Sequence, residues 1–504
     1  MKRAIPFISV IFLAGVLRLV FLRVIPLRVD GDSSKFALDA LEAWKEHWPF
    51  FSTGWYGHTN ALFYFIGLFI KPFSDPLLGI RLFSVVGGML GVLATYLLGM
   101  DFFNRRVAFW SSFFLAVCPF HLLISRVGTE AVWVTFFAPF SLYLMVQSHF
   151  WATIAAGMVV GIAQYIYPSA RLLPITSILF LFMAFIWQGS FKKKQLLSLG
   201  KNLAFFFLGF LLVYSPMINY YRNHQKEYWA RVEIVGIFQS GWLKAETQTQ
   251  PLYKVLLKKT IDSYKVFWFP IKRGAQFWYF KTPYLDPFPA ALFTLGLGEA
   301  IWLFRKRYQS SYLLIFFLTS VFFAGVLTVD SPTPSRYAIV LPFLALFCGL
   351  GIEKVITIFR DKAIVGGVII ILLALSSYYS YYIHETRETW KYDFNTQIAS
   401  LAGRYLRKIK QDYQIYFLSS DYLSYGSVPS LRFLLGKEGI DINGPILEET
   451  SKIDYSRPYV LIVPIGKKDD LDALQKADPK SFLKTIYNPL DEELFYLLSN
   501  FNLY

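Results

Sequence analysis

Long apolar runs, each followed by a short polar connection, recur from the first residues to about residue 383. A helix needs about 20 predominantly apolar residues to cross a bilayer, and about eleven stretches meet that requirement. They are 5–25, 77–99, 107–124, 130–147, 150–167, 171–188, 203–221, 288–304, 311–329, 337–356 and 363–383. The first follows Met-Lys-Arg, as the apolar part of a signal peptide does. No small-residue cleavage site comes after it, so the pattern predicts a retained helix. Beyond residue 383 the pattern changes. Gln414-Ile-Tyr-Phe-Leu and Tyr459-Val-Leu-Ile-Val are strand-like runs separated by helical periodicity. The expected architecture is an α-helical polytopic membrane protein, with a transmembrane domain over 1–383 and a small C-terminal α/β domain over 384–504.

The polar connections differ in charge. Arg105-Arg106, Lys192-Lys193-Lys194 with Lys201, Arg305-Lys306-Arg307, and Arg360 with Lys362 fall on one side; the short connections of the other side carry mostly single arginines. The positive-inside rule then places the N-terminus in the cytoplasm and the C-terminal domain outside a cytoplasmic (inner) membrane. Three pieces lie on the outer side. The loop 26–75 holds carboxylates, aromatics and a short apolar helix near 60–70, expected in the interface. The loop 222–286 is rich in Trp, Tyr and Lys, and the third piece is the tail.

Composition agrees and removes other classes. Of 504 residues, 55% are hydrophobic and 17% charged, with a mean hydropathy of +0.42; a soluble domain has roughly 25% charged residues. The 50 Phe and 32 Tyr exclude a disordered chain. The net charge of +16 is no nucleic-acid footprint. From His384 onward 15 Lys/Arg oppose 17 Asp/Glu, so the excess sits in the connections between spans. Cys118 and Cys348 lie in apolar runs without CxxC spacing and read as small buried hydrophobes. No Gly-rich phosphate loop follows either strand of the tail, so no nucleotide cofactor is expected.

Candidate chemistry gathers on the outer side. In Val29-Asp30-Gly31-Asp32-Ser33-Ser34-Lys35-Phe36-Ala37-Leu38-Asp39-Ala40, the residues Asp32, Phe36 and Asp39 share one helical face. Alternatively this is a solvated first helical turn with Asp32 as its cap. In Ser125-Arg126-Val127-Gly128-Thr129-Glu130, Glu130 is a carboxylate at a membrane boundary, where such groups tend to be functional; it also fits a simple pairing with Arg126 four residues earlier. Arg171 and Arg336 open helices on the same side, as planar phosphate donors or as snorkelling side chains. His58 has no HExxH or Cys/His companions that would make a zinc site. Arg18 and Glu299, within spans, snorkel or pair.

In order along the chain, these residues resemble a known family. Asp32 to Ala40 is similar to its acidic motif Asp-Glu-x-x-Tyr/Phe-x-x-x-Ala, and Gly57 to Tyr64 to its Gly-x-x-x-Leu-x-Tyr. Arg81-Leu-Phe-Ser84 and Cys118-Pro-Phe-His121 through Glu130 follow, then Tyr165-Ile-Tyr-Pro-Ser-Ala-Arg171-Leu-Leu-Pro174 and Arg336-Tyr337. The chain resembles the membrane glycosyltransferases of the GT-C class, near the protein mannosyltransferases and lipid A aminoarabinose transferases. Two positions depart from the family. Ser33 stands where a Glu usually follows the first Asp, and His58-Thr-Asn-Ala-Leu62 replaces His-Pro-Pro-Leu.

The resemblance implies an inverting transfer of a sugar from a polyprenyl-phosphate donor to a protein, lipid or glycan acceptor at the outer face. It implies Asp32 as base and Glu130 as second acid. Asp30, His58, Arg126, Tyr167, Arg171, Arg336 and Tyr337 are the expected substrate contacts. A divalent metal stays open, and membrane lipid is a further partner. The rival reading is a flippase or transporter of lipid-linked saccharide without chemistry. Transporters place polar groups at broken helices near the midplane, whereas these residues gather at the outer boundary.

Overall fold

Inside a bilayer each backbone N–H and C=O must find its partner within its own segment, and the apolar stretches are accordingly helical. The computed structural model describes residues 5–147, 149–187, 189, 192–270, 282–385, 394–420, 423–443 and 452–503. Residues 271–281 of the expected second loop and 386–393 at the start of the tail lie outside them. The chain begins with α1 (Ile5–Leu19), α2 (Gly31–Lys45), α3 (Asn60–Ile70) and α4 (Pro76–Phe102). Among the described residues, six helices are long and apolar enough to cross a membrane by themselves. They are Pro76–Phe102, Pro168–Trp187, Lys193–Asn223, Tyr308–Val326, Pro334–Ile358 and Lys362–His384.

Other expected spans are shorter or divided. Helix α1 ends at Leu19 rather than near residue 25. The stretch 107–124 is broken between Arg105–Val117 and Pro119–Ile124. Pro119 has no N–H to donate and disfavours the helical conformation at Cys118, whose ψ is 120°.

Close packing within the bundle uses small residues, since lipid offers no hydrophobic drive between helices. Helix Phe150–Ile166 crosses Lys193–Asn223 where Gly157 faces Phe206 and Gly209 faces Ile154. A Cβ at either glycine would lie 2.0 Å from the facing carbonyl oxygen.

The basic connections are at one end, where Arg106 pairs with Glu353 at 3.2 Å and Lys354 with Glu299 at 3.1 Å. At the other end, α2 and α3 pack together, and helix Gln225–Val235 from the second loop lies against the turn at Trp55–Gly57. The C-terminal unit joins this end. Its sheet has the order β2-β1-β3-β5-β4, with β1 Gln414–Leu418, β2 Ile440–Ile442, β3 Tyr459–Pro464, β4 Phe482–Tyr487 and β5 Glu493–Ser499. Strand β1 runs parallel to β2 and β3, pairing Tyr416 with Ile440 and with Leu461; β5 is antiparallel to β3 and β4. Every residue of β3 is buried, as in a central strand covered on both faces.

Candidate active site

Three buried arginines set the start of the first loop. Arg18 donates to the carbonyls of Ala14 and Ala116, both at 3.1 Å, and contacts His121 Nδ1 at 2.7 Å. Arg81 donates to Leu22 and Pro26, both at 2.6 Å, and to Arg28 at 3.1 Å. Arg126 donates to the carbonyls of Leu17, Val20 (2.7 Å) and Ile25 (3.1 Å). Carbonyls at the end of a helix lack intrahelical partners and attract cations, so residues 17–28 become a fixed lead into α2. Both terminal nitrogens of Arg126, expected at a substrate, are thereby taken up by backbone. Among the described residues it makes no ion pair with Glu130.

Helix α2 is capped by Asp30 rather than Asp32. The Asp30 carboxylate accepts from Ser33 N at 3.0 Å and from Ser33 Oγ at 3.2 Å, a normal use of Asp at this position. Ser33, the residue that departs from the pattern expected from the sequence, thus supports the cap, and Asp30, expected at a substrate, caps the helix. One turn inward, Phe36, Ala37, Ala40 and Ala43 bury one face of α2. Asp39 is also buried, and its Oδ1 pairs with Lys35. Asp32 stands in the first turn, half-buried.

Glu130 is brought to Asp32 by the turn before it. Gly128 has φ +94°, a conformation that glycine alone adopts without cost. A Cβ there would lie 3.1 Å from Ile80 and 3.4 Å from Ser33 Cβ, so the turn rests on the first turn of α2. Ser84 Oγ donates to Thr129 O at 2.8 Å. One helix, α4, therefore holds both approaches, with Arg81 on the Asp32 side and Ser84 on the Glu130 side. Glu130 is 5% exposed. The charges that act on its carboxylate include Asp32 and Arg231, and Thr129 Oγ1 donates to it at 3.2 Å.

Around this pair stand residues from distant elements. Tyr167 hydrogen-bonds Ser335 and interacts electrostatically with Glu130, Arg231 and Arg336. Arg336 faces Tyr167, Arg231, Asp330 and Tyr284, and one nitrogen donates to the Val329 carbonyl. Lys259, on the helix Leu252–Lys265, is brought down to about 8 by burial and the neighbouring Arg336. His58 is buried against Phe36 and Trp55, at ring separations of 4.9 and 6.1 Å. Burial, with Arg231 and Arg171 nearby, lowers its pKa to about 3, so it is neutral at physiological pH. Arg171 lies over the Tyr228 ring at 4.1 Å, and its buried Nη1 has no hydrogen-bond partner among the described residues.

Residues 58–218 match a family model described as dolichyl-phosphate-mannose-protein mannosyltransferase. The whole chain superposes on ArnT from Cupriavidus metallidurans bound to undecaprenyl phosphate, with a TM-score of 0.57, 13% identity and 98% of each chain covered. It also superposes on the oligosaccharyltransferase AglB from Archaeoglobus fulgidus in complex with an inhibitory peptide and a dolichol-phosphate. There the TM-score is 0.52 and the identity 12%, covering 97% of this chain and 74% of that one. The chain has the fold of these two membrane proteins. No curated protein sequence matches the chain, and at these identities the solved structures establish the shared fold.

In this fold, the expected contact Tyr337 has a structural partner. Tyr337 is fully buried, and its hydroxyl donates to Ser263 O at 2.9 Å, tying helix Leu252–Lys265 to the bundle. Asp32, Glu130, Tyr167 and Arg336 come together, with His58 and Arg171 grouped beside them around Arg231. Arg231 escaped sequence reasoning. It sits on helix Gln225–Val235, whose Glu227 accepts from Tyr220 Oη at 2.7 Å and from Thr53. Among the described residues, no group of three His, Cys, Asp or Glu side chains could hold a metal ion.

Proposed function

We propose that this protein is a glycosyltransferase that moves a sugar from a polyprenyl-phosphate donor to an acceptor hydroxyl or amine at the extracytoplasmic face, with inversion at the anomeric carbon. The reading is carried by one observation: two carboxylates from different loops, Asp32 and Glu130, act on each other beside Arg231, at the end of the bundle opposite the basic connections.

Asp32 takes the acceptor proton as the acceptor oxygen or nitrogen bonds to the anomeric carbon. The bond from that carbon to the phosphate oxygen breaks, and the electron pair leaves with the polyprenyl phosphate. A positioned base contributes about 10²–10⁴-fold. The leaving phosphate gains charge, and the Arg336 and Arg231 guanidiniums, with Lys259 behind them, are suited to stabilise it. Glu130 orients the acceptor or Arg231. Because the donor arrives on lipid, no nucleotide site is required, and the C-terminal unit stands on the extracytoplasmic side. Purified protein incubated with radiolabelled polyprenyl-phosphate sugars and candidate acceptors tests this. Label in the acceptor supports it; movement of labelled lipid across vesicles without transfer would instead favour a transporter.

A further inference from the structure

The residue that leads into the acidic turn is gripped from outside the bundle. Val29 N–H donates to Ser400 Oγ at 2.8 Å, and Ser430 Oγ donates to Val29 O at 2.7 Å. Both serines are fully buried and Val29 is 3% exposed. Ser400 lies in helix Phe394–Leu406 and Ser430 in the first turn of helix Pro429–Leu435, both in the C-terminal unit. Phe433 and Leu434 of the second helix belong to the same core as Phe36, Ala37 and Ala40 of α2. Two further contacts bracket the loop. Arg404 donates to the Arg23 carbonyl at 3.1 Å, and Arg407 pairs with Asp75 at 2.8 Å.

A residue held at both its N–H and its C=O by side chains of another unit is fixed in position and in orientation. The next residue is the cap Asp30, and Asp32 follows two residues later.

We propose that the C-terminal unit is a clamp that fixes the acidic turn. Ser400 and Ser430 are its positioning residues, acting through Val29 on the placement of Asp32 opposite Glu130. The catalytic consequence rests on the sugar-transfer reading, whereas the clamp itself does not.

The test uses the full-length protein carrying Ser400→Ala and Ser430→Ala together, with each single change alongside. Amide exchange is measured over residues 29–34 and, as a control for folding, over β3. Transfer turnover and donor KM are measured on the same samples. Loss of both hydrogen bonds should speed exchange over 29–34 by about fivefold or more while β3 stays protected. Turnover should fall by about the same factor with donor KM within about twofold. Exchange over 29–34 that stays at the parent rate overturns the clamp. Faster exchange with unchanged turnover, in a parent that transfers sugar, overturns the positioning role. If the parent transfers no sugar, the sugar-transfer reading falls, and the exchange result still decides the clamp. Should the double variant also lose protection in β3, the single variants decide by the same criteria.

Discussion

Ser84 Oγ donates to Thr129 O at 2.8 Å, tying the helix that begins at Pro76 to the residue just before Glu130. Three residues earlier on the same helix, Arg81 holds the carbonyls of Leu22, Pro26 and Arg28. The motif Arg81-Leu-Phe-Ser84 is thus a spacer that sets one carboxylate against the other. Ser84→Ala removes the Thr129 contact at a cost of about 1–3 kcal/mol for the unsatisfied buried carbonyl. Thermal unfolding should show a lower midpoint, and transfer should slow several-fold with donor affinity kept. Unchanged turnover would mean that the Thr129 carbonyl does not govern Glu130.

Arg126 makes a different prediction from that of a phosphate ligand. Arg126→Lys keeps the charge but loses the planar fork that serves three carbonyls. The unfolding midpoint should drop clearly, while donor affinity in the protein that stays folded changes by less than about twofold, roughly 0.4 kcal/mol. A stable variant with weakened donor binding would return Arg126 to the substrate.

The sequence made the frame legible where one physical signal dominated. Runs of about 20 apolar residues mark the spans, and β1 and β3 stood out because burial on both faces leaves a continuous apolar run. Strand β4, exposed or half-buried throughout, leaves no such run. Arg126 and Glu130 looked like a helical i,i+4 pair. The helix ends at Ile124, before Arg126, and the turn through Gly128 at φ +94° sends the side chains to different places. Asp30 displaced Asp32 as the cap because the chain enters the helix two residues earlier than the motif suggested. Arg231 lay in a loop whose helix has no buried residue; the spacing of Glu227 and Arg231 on one helical face was its signal in the sequence.

His58 should make the protein acid-sensitive. Its folded pKa is about 3, against about 6.5 in the unfolded chain. Between those values the unfolded chain binds the extra proton, so stability rises with pH across this window and is lost as pH falls below about 6.5. His58→Asn should flatten the dependence of the unfolding midpoint between about pH 6.5 and 4. The same slope in parent and variant would assign the acid sensitivity to other groups.

In the proposed reaction, Arg336 and Arg231 meet the leaving phosphate. Arg336→Lys and Arg231→Lys should each weaken binding of polyprenyl phosphate by about tenfold, near 1.4 kcal/mol, because a point charge replaces a bidentate donor. Lysine variants that bind the lipid as tightly as the parent would assign both arginines to structure alone.

The central claim is that Asp32 and Glu130 form the reacting centre with Asp32 as base, and turnover of three near-isosteric variants tests it most directly. Asp30→Asn should transfer sugar nearly as well as the parent, since Asn caps a helix about as well as Asp. Glu130→Gln should lose less than Asp32→Asn, which should fall by about 10²-fold or more in kcat with its unfolding midpoint preserved. Near-parental turnover in Asp32→Asn, in a protein that transfers sugar, would contradict the account.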